Sequence, residues 1–67
     1  MTYVVIELQK FDNGTVATLV TQYTAIAQAE AAFHQAMAAA AVSALPKHGC
    51  IIMTDSGEIV RNEIYSR

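Results

Sequence analysis

A chain of 67 residues with one cysteine, Cys50, can form no internal disulfide and carries no paired-cysteine zinc motif. A single domain of this size, residues 1–67, hides only about 60% of the surface its unfolded chain exposes, yet 54% of its residues are apolar against roughly 45–50% in ordinary domains. The net charge is −2, with Lys10, Lys47, Arg61 and Arg67 scattered singly, which argues against a phosphate-neutralising stripe and a nucleic-acid partner.

Residues 3 to 11, YVVIELQKF, alternate and are rich in β-branched and aromatic types, the pattern of a half-buried strand. The turn residues Asp12-Asn13-Gly14 follow, and a second strand is predicted over residues 15 to 23. Gly14 suits the left-handed position of a three-residue hairpin loop. That loop sets the expected register: Leu8 faces Thr18, Ile6 faces Val20, and Val4 faces Gln22.

From residue 25 to about 44 the positions Ile26, Ala29, Phe33, Met37, Ala40 and Ala44 recur at helical spacing. Thr24 is the expected N-cap, although Ala27 stands where a capping box would place an acid. Pro46 and then Gly49 are expected to end the helix and turn the chain back into the sheet. The segment AMAAAAVSAL, residues 36 to 45, is apolar nearly all round, so more than one side of it needs cover. It is too short and too closely flanked by polar residues for a spanning helix, which needs about 20 apolar positions, so no membrane role is expected. The start MTYVVIELQK lacks the charged opening of a signal peptide, and a free thiol then points to the cytoplasm.

The strand-like runs CIIMT and EIVRNEIY flank Asp55-Ser56-Gly57, repeating the first hairpin's loop chemistry with Gly57 in the place of Gly14. The expected fold is α+β, in the order ββαββ: a four-stranded antiparallel sheet with one long Ala-rich helix packed on one face. Alternation groups Val4, Ile6, Leu8 and Val20 with Cys50, Ile52, Val60 and Ile64 as the core beneath the helix. The opposite face then holds Tyr3, Val5, Leu19, Tyr23, Ile51, Met53, Ile59 and Tyr65, interrupted by Glu7, Arg61 and Glu63. So much apolar surface is expected to form an oligomer interface, with a two-fold dimer as the natural form.

His34, His48 and Cys50 are the conventional soft-metal ligands, but their spacing closes no ligand set, and neither a metal nor another cofactor is expected. Cys50 reads as a small strand hydrophobe, and His48 as a partner for the helix C-terminus. A Cys50–His48 nucleophile pair lacks an orienting group and an oxyanion cradle. Glu58 and Glu63 lie an odd number of strand positions apart and so are expected on opposite faces. The tyrosines fit an interface better than a base-stacking platform, because stacking on nucleic acid usually comes with positive charge. No enzyme is expected.

AEAAFHQAMAAAAVS followed by KHGCIIMTDSGEIVRNEIYSR resembles a family of very small proteins, of no assigned activity, encoded in bacterial prophages and other mobile elements. The resemblance rests on Phe33-His34, the alanine run closing in Val42-Ser43, His48 before the third strand, the D-x-G hairpin, and Glu63 and Tyr65. It implies a viral or mobile-element setting, in which tiny proteins bind and block or decorate particles. The leading expectation is therefore a non-enzymatic homo-oligomeric binding protein whose partner is a second copy or a host or phage protein. The alternative is a protein that sequesters a small ligand or nucleotide between subunits, with Tyr65, Arg61 and Arg67 as polar contacts.

Overall fold

In the computed structural model, which describes residues 1–42 and 45–66, the chain runs β1 (Tyr3–Lys10), β2 (Val16–Tyr23), α1 (Ile26–Val42), β3 (Lys47–Thr54) and β4 (Ile59–Ser66). The sheet order among the described residues is β2-β1-β3-β4, every neighbouring pair antiparallel, with the helix on one face. This is the expected ββαββ arrangement. The expected helix position Ala44 and the ligand contact Arg67 lie outside the described residues.

Both hairpins close as their turn residues predict. Phe11 N–H donates to the Thr15 carbonyl at 2.9 Å and Gly14 N–H to the Phe11 carbonyl at 3.0 Å, with Gly14 at φ 89°. Thr54 and Glu58 repeat this around Gly57, at φ 94°. A three-residue loop with glycine in the left-handed region matches the twist of the flanking strands. It delivers the expected register, with Leu8 opposite Thr18, Ile6 opposite Val20 and Val4 opposite Gln22.

The helix forms because alanine is the best intrinsic helix former and because one face of the segment can be buried. Ala29, Phe33 and Ala40 are buried, and Ala32, Ala36 and Met37 pack beside them. Ile26, expected on the same face, is exposed. The N-cap position falls on Ala25, whose carbonyl accepts the first bonds from Gln28 and Ala29, and not on Thr24. Alanine offers no capping oxygen, so this helix start is held by packing. Gly49 lies inside β3 and turns nothing; the return to the sheet is complete by Lys47.

The core beneath the helix consists of Val5, Ala29, Phe33, Cys50 and Ile52, flanked by Tyr3 and Tyr23. Across β1 and β3, Val5 pairs with Ile52 and Glu7 with Cys50. Directly paired residues of an antiparallel sheet share a face. The expected core is therefore corrected: Val4, Ile6, Leu8, Val20 and Ile64 lie on the open face, and it is Val5 that joins Cys50 and Ile52 under the helix. The cause is the β1–β3 register, which a twofold pattern with apolar residues on both faces cannot reveal.

A bulge between Ile52 and Met53, opposite Arg61 and Ile59, shifts the phase of β4 and leaves Val60 45% exposed. The same shift undoes the parity argument that put Glu58 and Glu63 on opposite faces. Glu58 closes the hairpin outside β4, several strand steps from Glu63, a span of more than about 12 Å.

Candidate functional site

The helix lies chiefly over β3 and β1 and covers one side of the sheet only. The other side presents Val4, Ile6 and Leu8 of β1, Val16 and Val20 of β2, Ile51 and Met53 of β3, and Ile59 and Ile64 of β4. Ile64 is 67% exposed and Ile59 60%. Such a surface is unusual on a soluble monomer, where contiguous apolar patches seldom exceed a few hundred Å².

At its centre Gly49 sits between Leu8 and Ile64. A Cβ there would meet the Leu8 Cβ at 3.9 Å and Ile64 Cγ1 at 4.0 Å, ordinary van der Waals contact. The missing side chain leaves a shallow groove of about 320 Å³, floored by Gly49 and walled by Ile6, Leu8, Ile51, Asn62 and Ile64, with Lys47 at one end. Lys10 stands directly opposite Lys47 at that end of the face.

The expected interface set divides between the two sides. Ile51, Met53 and Ile59 are on the open face. Val5 is 2% exposed beneath the helix, and Tyr3 and Tyr23 pack against the core, so these three are corrected from surface to structural positions. Leu19 is on the helix side but beyond the helix's reach, 58% exposed, and Tyr65 pairs with His48 on the same side. Alternation within one strand identifies residues that share a face but carries no signal for matching faces between β1 and β3, which is why Val4, Ile6, Leu8, Val20 and Ile64, expected in the core, lie on the open face.

The helix side holds the titratable groups. Arg61 Nε lies 3.0 Å from Glu30 Oε2, and the guanidinium stands 5.6 Å from the centre of the Phe33 ring, tying β4 to the helix. Arg61, expected as a ligand contact, is thus already engaged. His34 is exposed, its Nε2 3.6 Å from the same oxygen, Glu30 Oε2, and its ring edge-on to Phe33. His48 is a buried strand residue, not a surface partner of the helix terminus, and its Nε2 has no hydrogen-bond partner among the described residues.

Cys50 is 1% exposed. Burial pushes its thiol from 9.0 up to about 11, the Glu7 carboxylate across the sheet adds to the rise, and a backbone hydrogen bond at Ile51 partly opposes it. Cys50 is therefore a protonated thiol at neutral pH, the inert form. Among the described residues no three of the His, Cys, Asp and Glu side chains are grouped to hold a metal ion, and no helix is long and apolar enough to cross a membrane.

A second cleft, about 230 Å³, runs between the helix alanines Ala32, Ala36 and Ala39 and the β2 residues Leu19, Thr21 and Tyr23, with Glu7 within it. It exists because the helix lies chiefly over β3 and β1 and touches β2 only in part. Comparison of the chain with protein-family models, with curated proteins and with solved structures gives no match.

Proposed function

We propose that this protein is a non-enzymatic homo-oligomeric binding protein that acts by protein–protein interaction in the cytoplasm, with a second copy and a host or phage protein as its partners. The observation that carries this reading is the open face of the sheet, where Ile6, Leu8, Val20, Ile51, Met53 and Ile64 stand together with no helix of the described residues over them. Burial of apolar surface contributes about 25 cal/mol per Å², and a chain this small has little core of its own. The resemblance of the helix and second hairpin to prophage-encoded proteins supports a mobile-element setting. The buried, protonated Cys50 thiol favours binding over nucleophilic chemistry.

Light scattering behind a sizing column tests self-association: a mass of at least twice 7.2 kDa at micromolar concentration is expected. A stable monomer under those conditions would end the proposal. A small ligand held between copies is the second reading. It is favoured by the Gly49 groove, which at about 320 Å³ falls at the lower end of the roughly 300–1,000 Å³ typical of ligand sites. Native mass spectrometry of protein purified from cells separates the two, by showing or not showing added ligand mass.

A further inference from the structure

We propose that copies of this chain join through the free edge of β2, antiparallel and about a two-fold axis, to make one continuous sheet with both helices on the same side. The two edges of the sheet, β2 and β4, are built differently. β4 carries the usual guards against edge pairing: a bulge, and the charged residues Arg61 and Glu63. β2 carries none. Its eight residues, VATLVTQY, contain no charge, no proline and no glycine, and their register with β1 is unbroken from end to end. Such a strand, rich in β-branched and aromatic types, is a template for another strand.

The hydrogen-bond phase says which groups are available. Phe11 N–H bonds to the Thr15 carbonyl, so Ala17, opposite Gln9, and every second residue after it direct their backbone groups at β1. Val16, Thr18, Val20 and Gln22 therefore point N–H and C=O outward along the edge. A second copy offers the same groups in the same spacing. Keeping both helices on one side requires residues of like parity to face each other, so the axis passes through one position, Val20 or Leu19. Whichever of the two lies on the axis, Val20 at 55% or Leu19 at 58% exposed in a single copy, then meets its own counterpart, and the other packs against a threonine. Because β4 is guarded, pairing closes at two copies and does not run on into a ribbon. The joined sheet leaves the apolar face continuous across both copies for the protein partner.

This rests on the proposed self-association, and the test separates the two. Residue-resolved amide hydrogen exchange by NMR is measured on the full chain at the concentration used for light scattering. A dimer mass is expected, with the amides of Thr18, Val20 and Gln22 slowed about 100-fold or more, as for closed hydrogen bonds, while those of Asn62 and Ile64 on the β4 edge exchange quickly. An oligomer with unprotected β2 amides overturns edge pairing and leaves self-association standing; a monomer overturns both. Thr18→Pro removes one outward donor without touching the bonds to β1; it is expected to halve the mass with unchanged far-ultraviolet circular dichroism, and an unchanged mass in that folded variant overturns the proposal.

Discussion

Val5 lies directly opposite Ile52 across the two central strands, the first 2% exposed and the second 0%. This pair decides which side of the sheet the helix covers, and so which side is left open.

Burying an isoleucine side chain stabilises a fold by roughly 1.5–3 kcal/mol, and removing it to alanine costs about 2–5 kcal/mol once the cavity is included. Ile52→Ala is expected to lose that much in urea denaturation. Ile51→Ala, one position along and on the open face, is expected to lose clearly less when measured at a dilution that favours single copies. Equal losses would contradict the assignment of faces.

The Glu30–Arg61 pair joins α1 to β4, with Arg61 47% exposed at its side chain. Exposed pairs contribute about 0.2–1 kcal/mol, and the guanidinium over Phe33 adds roughly 0.5–1 kcal/mol. A double-mutant cycle of Glu30→Gln and Arg61→Met should give a coupling within the first range that shrinks in molar salt. A coupling of zero at low salt would remove this pair from the account of how β4 is held to the helix.

Folding favours the protonated thiol of Cys50, whose value rises from 9.0 to about 11. A raised value means that its contribution is fully present below pH 9.0 and is lost as pH climbs towards about 11. Wild-type stability is expected to fall through that window more steeply than that of Cys50→Ala, and Glu7→Gln should narrow the difference by removing the neighbouring carboxylate. Parallel curves for wild type and Cys50→Ala would show that burial does not hold the thiol. Alkylation of Cys50 at neutral pH should be limited by opening of the helix from the sheet.

The glycines separate into two kinds. Gly14 at φ 89° and Gly57 at φ 94° occupy backbone that an L side chain resists, so Gly14→Ala should cost about 1–2 kcal/mol in thermal or urea unfolding. Gly49 has ordinary strand backbone and room for a methyl group. Gly49→Ala is expected to fold with stability within about 0.5 kcal/mol of wild type while raising a methyl group from the groove floor, which makes it a clean probe of any ligand seated against Gly49. A large loss from Gly49→Ala would mean that β3 and its neighbours lie closer than 3.9 Å contacts allow.

Local chemistry alone determined much of this protein. The Asp-Asn-Gly and Asp-Ser-Gly loops specify their hairpins, because only glycine enters the left-handed position freely and a three-residue loop admits one register. The alanine-rich segment specifies its helix through propensity and spacing. What only the tertiary structure decided is how the two hairpins meet. β1 pairs with β3 through contacts some forty residues apart in the chain, and with apolar side chains on both faces of every strand, neither alternation nor turn chemistry distinguishes that register from one shifted by a single residue. The helix, bridging β2 and β3 across the intervening β1, selects between them by placing Phe33 against Val5, Cys50 and Ile52. That choice buried Val5, put Ile6 and Leu8 on the open face, and set that face and the bare β2 edge where they are.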